Sequence, residues 1–201
     1  MPDKYKCFAE LKNNEIERRD YRRQIERRQS GVAIVAPHGG KIEPGTSEIA
    51  RAIAGDLHSL YLFEGIKRDG NKELHISSAN FDDNECLELI RECDLVVAIH
   101  GKGGVGLFTQ FGGRDHAVRD LIQSKLEDAG FPTDPDANPG LAANSRLNIC
   151  NRGRTGRGVQ LEIRFDLRRH LTKESGAAER LSRYSQAIAT AIDRRLHGGR
   201  E

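Results

Sequence analysis

From residue 31 onward, apolar runs and amphipathic stretches alternate along the chain. "GVAIVAP" (31–37) is short and continuously apolar, the pattern of a strand buried on both faces of a parallel sheet. "TSEIARAIAG" (46–55) reads as a helix, with Thr46 or Ser47 as its N-cap and Gly55 as its stop. A second strand follows in "HSLYLFEG" (58–65), then a helix in "FDDNECLELIREC" (81–93) with acidic residues in its first turn. "DLVVAIHG" (94–101) is a third strand, and "RDHAVRDLIQSKLEDAG" (114–130) a helix closed by Gly130. "PTDPDANPGLAANS" (132–145) is a loop, "GVQLEIRFDLRR" (158–169) the last strong strand, and residues 176–196 a closing amphipathic helix. No repeat or linker interrupts the series. The pattern predicts an α/β fold: a mainly parallel twisted sheet with helices on both faces.

Residues 1–30 break this rhythm. They are charge-dense, ending in "ERRDYRRQIERRQS", and read as a helical arm or a basic solvated surface flanking the rest. A length of 201 residues suits one catalytic domain over 1–201, with that arm packed on it or beside it. The net charge of +2 implies no polyanion partner by itself, and the absence of Trp argues against a stacking platform for single strands. No apolar stretch approaches the ~20 residues of a membrane span. The first residues carry no apolar signal core, so a soluble, cytoplasmic, monomeric protein is expected. Cys7, Cys86, Cys93 and Cys150 form no C-x-x-C pair. Cys86 and Cys93 share one helix face and read as buried free thiols.

In a parallel sheet, ligands collect outside the carboxyl ends of the strands. His38 ends the first predicted strand, His100 ends the third, Glu43 lies in the first loop, and Glu162 sits inside the last strand. Two imidazoles and a carboxylate are a recurrent zinc set that leaves a position open for water. Each side chain also has a plain structural reading: a histidine bound to backbone groups, a glutamate at a helix start. Alternation along "GVQLEIRF" puts Gln160, Glu162 and Arg164 on one face, and a carboxylate inside a buried strand is costly unless paired or functional. Glu162 is therefore the candidate general base, with a structural salt bridge as the alternative. "GKGGVG" (101–106) fits G-x-G-x-x-G, but Gly112–Gly113 would interrupt the helix such a motif requires. The segment 101–113 reads instead as a flexible loop or lid over a site.

Taken in order, "APHGGKIEPGTSEIA", "LYLFEG", "LHISSANFDD", "VVAIHG", "LNICNR" and "GVQLEI" resemble the phage-type poly-γ-glutamate hydrolase family. Its members are often described as phage-related replication proteins, and the similarity runs from Tyr5 to Leu196. The resemblance implies a carboxypeptidase-like zinc hydrolase that cuts γ-glutamyl amide bonds. It implies His38, Glu43 and His100 as zinc ligands, Glu162 as general base, and His75, Asn151 and Arg152 as further residues in the family's blocks. In carboxypeptidase-like enzymes an Asn-Arg pair holds a substrate carboxylate. The implied partner is an anionic γ-glutamyl polymer or peptide, for which Arg152, Arg114, Arg154 and Arg157 are candidate cations. Two other functions fit the residues: a replication accessory binding nucleic acid through the basic arm, and a zinc deacylase acting on another amide.

Overall fold

The computed structural model describes residues 3–134 and 142–197. Seven strands form one sheet in the order β1-β3-β2-β4-β7-β5-β6. They are β1 (Tyr21–Glu26), β2 (Val32–Gly40), β3 (Ser59–Gly65), β4 (Leu95–Lys102), β5 (Thr109–Gly113), β6 (Thr133–Asp134) and β7 (Val159–Arg164). The central strands β3, β2, β4 and β7 run parallel, while β1 and β5 pair antiparallel to their neighbours β3 and β7. The mainly parallel α/β class read from the sequence is the one observed.

Alternation along these strands sorts the side chains into two layers. Ile34, Val97, Ile99, Leu161 and Ile163 face one layer, covered by α2 (Thr46–Ala54), α4 (His116–Asp128), α5 (Phe165–Thr172) and α6 (Ala177–His197). Ala33, Val35, Val96 and Ala98 face the other, covered by α1 (Phe8–Asn14), α3 (Asn84–Arg91) and short 3-10 turns at Asn71–Leu74 and Ile149–Asn151. Helix starts follow local chemistry: the Asp83 side chain accepts from the Glu85 N–H, and the Asp115 side chain from the Val118 N–H. At α2, however, Gly45 is the N-cap, and the Thr46 hydroxyl donates to the Glu43 carbonyl instead.

The charged N-terminal region is neither a helical arm nor a free basic surface. It forms α1 and the edge strand β1, and its arginines are spent on internal ion pairs: Arg22 with Glu64, Arg23 with Glu17 and Asp83, Arg27 with Glu92. "GVQLEIRFDLRR" is not one strand; β7 ends at Arg164 and α5 begins at Phe165. The predicted lid at 101–113 is mostly strand: β4 runs to Lys102 and β5 occupies Thr109–Gly113, leaving 103–108 as the loop. Of the predicted loop 132–145, residues 135–141 lie outside the described residues. All four cysteines are free. Among the described residues no helix is long and apolar enough to cross a membrane.

Of the Gly112–Gly113 pair that argued against a helix, Gly113 serves close approach between strands. A Cβ on Gly113 would stand 2.2 Å from the Gly158 carbonyl oxygen, and one on Gly158 would stand 2.0 Å from that of Cys150. Backbone cannot yield as a flexible side-chain end can. Gly158→Ala is expected to destabilise by about 1–3 kcal/mol or more through overpacking. The measurement is the urea midpoint at unchanged slope; an unshifted midpoint would show that this strand contact relaxes freely.

Candidate metal centre

The site is built where β2 bulges. Ala36 pairs with Leu62 and Gly39 with Glu64, so Pro37 and His38 together stand opposite Phe63 alone. A bulge re-aims a side chain, and Pro37, lacking an N–H, is tolerated there. The following turn is closed by the Glu43 N–H donating to the His38 carbonyl, at 2.9 Å. The Glu43 carboxylate reaches across to β4, where the Gly101 N–H donates to its Oε2 at 2.7 Å. His100 lies just before that anchor and is in register with Glu162 on β7. Loop, strand end and neighbouring strand thus meet on one sheet face.

Four donors converge. His38 Nδ1 lies 3.1 Å from His100 Nδ1 and 3.5 Å from Glu43 Oε1, and His100 Nδ1 lies 4.0 Å from Glu43 Oε2. His75 stacks on His38 with ring centroids 4.0 Å apart, and ligand atoms of His38, Glu43 and His75 all lie within 4.8 Å of one another. Each imidazole is held through its outward nitrogen. His38 Nε2 contacts the Ile76 carbonyl at 2.7 Å, His100 Nε2 the Ser78 hydroxyl at 3.1 Å, and His75 Nδ1 the Asp3 carboxylate at 2.7 Å. The other nitrogen of each ring is left for the centre. Such outward partners orient metal-binding histidines.

The electrostatics suit a cation. Burial pulls the His38 imidazole down, but the Glu43 carboxylate and the Ile76 carbonyl overcome it, and its pKa lies above the ordinary histidine value. Burial, reinforced by His38, lowers His100 to about 3, so His100 offers a bare lone pair at neutral pH. Burial works to raise Glu43, yet His38, His100 and the Gly101 N–H hold it at about 2. Two facing Nδ1 atoms at 3.1 Å share one hydrogen, and a metal ion bound by both nitrogens would take its place. Tetrahedral zinc with bonds of ~2.0–2.1 Å sets its nitrogens roughly 3.3 Å apart, so the donor set fits that ion. Glu162, only 8% exposed, is raised to about 7 by burial and by the Glu43 carboxylate. Its Oε1 accepts from Gln160 Nε2 at 2.8 Å.

The remaining candidates sit differently. The Asn151 amide is saturated: Oδ1 accepts from the Arg114 and Gly158 N–H groups, and Nδ2 donates to the Ala143 and Ser145 carbonyls. Arg152 donates to the Phe81 carbonyl at 2.8 Å, and Arg114 reaches the Gly156 carbonyl at 3.4 Å. Arg154 forms an exposed fork on Asp94. Sequence reading missed Arg168, which is buried under the centre. Its guanidinium donates to the carbonyls of Pro44, Lys102 and Ile163, tying the Glu43 loop to the ends of β4 and β7. Gly101 has no Cβ because that guanidinium lies about where one would stand, at 2.5 Å. Asp3 and Ser78 were missed as well, since only folding brings them beside the histidines.

The sheet gathers these donors at its strand ends in a carboxypeptidase-like α/β architecture. Residues 5–193 match the model of the poly-gamma-glutamate hydrolase family, and the chain belongs to that family. The SPbeta prophage-derived protein YoqZ of Bacillus subtilis (strain 168) is 42% identical over 172 residues, covering 84% of this chain and 61% of YoqZ. The chain therefore spans about three fifths of that relative. A solved bacteriophage poly-gamma-glutamate hydrolase superposes with a TM-score of 0.92 at 30% identity over 100% of both chains. The zinc-free apo form of YNDL superposes with a TM-score of 0.87 at 34% identity, covering 96% of this chain and 98% of that one.

Proposed function

We propose that this chain is a zinc-dependent hydrolase that cleaves γ-glutamyl amide bonds, with poly-γ-glutamate or a shorter γ-glutamyl peptide as its substrate. The observation that carries this reading is Glu162, a carboxylate raised to about 7 and in register with His100 beside the His38–Glu43 cluster. Family membership and the likeness to the bacteriophage hydrolase support the γ-glutamyl bond, and the likeness to YNDL, described in a zinc-free form, supports the ion. Residues 1–201 act as one catalytic unit and as a monomer.

His38, Glu43 and His100 hold the ion, which supplies Lewis acidity to a water and to the scissile carbonyl. Ile76 and Ser78 keep the two imidazoles turned toward it. Glu162, oriented by Gln160, accepts the proton of the attacking water and passes it to the departing amine as the C–N bond breaks. Asn151 acts as a clip between loops. The nucleic-acid reading loses its main support because the arm's arginines are paired with carboxylates.

The test combines metal analysis of the purified protein with chain-length analysis of poly-γ-glutamate across pH. One zinc per chain and progressive shortening of the polymer are expected. A base whose pKa is raised loses its active, ionised form as pH falls through that value, and a bound cation moves the midpoint below about 7. The rate should therefore rise with pH on the acidic side. An intact polymer in the presence of bound zinc would point to another amide, and rates that grow on acidification would remove Glu162 as the base.

A further inference from the structure

Among the described residues, three buried side-chain atoms have no hydrogen-bond partner: Asn71 Oδ1, Gln110 Oε1 and Arg164 Nε. Two of the three belong to the sheet face that carries the metal centre. Glu162 is flanked in register by His100 on β4 and by Gln110 on β5. Two residues further along the parallel strands, Lys102 stands in register with Arg164. Because side chains two apart share a face, Lys102 and Arg164 form a cationic row beside the His100–Glu162–Gln110 row, roughly 6–7 Å away.

Neither cation is spent on a carboxylate. Among the described residues Lys102 Nζ makes no hydrogen bond or ion pair, and it lies close enough to Glu162 to act on its charge. Arg164 donates through one terminal nitrogen to the Gly103 carbonyl at 2.7 Å and lies over the Phe108 ring at 4.7 Å. The loop 103–108 packs directly on it; a Cβ on Gly104 would meet its Nη1 at 2.8 Å. The guanidinium plane is thereby fixed, while its Nε–H is buried and unmatched. A buried unmatched donor is costly, and a ligand that supplies the acceptor recovers that cost. Gln110 Nε2 donates to Asp134, so its orphan Oε1 is fixed as an acceptor.

We propose that Lys102 and Arg164 form the subsite for the α-carboxylate of the γ-linked glutamate at the scissile bond, with Gln110 Oε1 receiving an amide N–H of the same chain. This rests on the γ-glutamyl reading above and assigns its specificity to residues other than Arg152 and Arg114. The dimensions agree. In a γ-glutamyl residue four bonds separate the scissile carbonyl carbon from the α-carboxyl carbon, about 5 Å of extended chain at ordinary C–C lengths. That is close to one step between the two rows. An α-linked glutamate has the same four-bond span, and the two linkages differ in where the chain nitrogen branches: beside the free carboxylate in the γ form, beside the scissile carbonyl in the α form.

The experiment measures binding apart from turnover. A fluorescein-labelled γ-linked glutamate hexamer, and the same hexamer with α-carboxamides, are titrated into zinc-loaded Glu162→Gln protein. Lys102→Met and Arg164→Gln are then each added to that background. Each is expected to weaken the acidic hexamer about tenfold or more and to leave the carboxamide hexamer unchanged, since each removes one charge-assisted contact. Arg164→Gln also releases Gly103, so Lys102→Met, whose side chain holds nothing else in place, is the cleaner arm. Equal affinity of parent and Lys102→Met for the acidic hexamer, or no binding by the parent, overturns the subsite. Lys102-dependent binding with no cleavage by the Glu162-intact enzyme would instead uphold the subsite and sink the hydrolase reading.

Discussion

Glu162→Gln should keep its zinc and lose about 10²–10⁴-fold in kcat, the usual cost of removing a general base. The amide is nearly isosteric and retains an oxygen that can accept from Gln160, so the β7 neighbourhood stays in place. What it loses is the capacity to take a proton. The substitution also removes a carboxylate that faces Glu43 across a buried space, so metal-free stability should not fall. Single-turnover rates, read beside zinc content and the urea midpoint, separate these effects. Wild-type turnover at full zinc occupancy would make Glu162 a structural residue.

The second large effect concerns the ligands. His38→Ala and His100→Ala should each lower zinc affinity by orders of magnitude and abolish activity, while secondary structure by circular dichroism is kept. Both rings are nearly inaccessible, His38 at 2% and His100 at 3%, and each is fixed by a single outward contact. His75→Ala distinguishes two possible triads, because His75 also reaches the centre and is held by Asp3. With His100 as the third ligand, His75→Ala keeps most of its zinc and His100→Ala does not. Chelator competition gives the affinities directly. Full occupancy in His100→Ala with loss in His75→Ala would reassign the third ligand.

Much of the sheet was readable because its central strands are extreme in composition. Val32–Ala36 and Leu95–Ile99 are continuous apolar runs, and only a doubly covered strand tolerates such runs. β1 and β5 escaped notice for opposite reasons. In β1, "YRRQIE" looks solvated, since its arginines find carboxylates on β3, α3 and the preceding turn that no local window reveals. In β5, "TQFGG" looks like a loop, since Gly113 answers a close approach to Gly158 from a distant part of the chain. The end of β7 was misplaced because "RFDLRR" carries no helix signal stronger than the strand pattern before it.

The amino-acid order by itself determined the α/β class, the central parallel strands and the positions of His38 and His100 toward strand ends, Glu43 in the loop after the first strand and Glu162 inside the last. Those features follow from local periodicity and from the rule that parallel strands deliver their loops to one edge. Tertiary structure alone decided what surrounds them. It set the β2 bulge that aims His38, and the Asp3, Ile76 and Ser78 contacts that orient the rings. It also set the buried Arg168 that fastens three segments, and the pairing of Lys102 with Arg164. Each of these depends on which distant residue lies opposite, and alternation along a single strand fixes the face a side chain takes but not the residue it meets there.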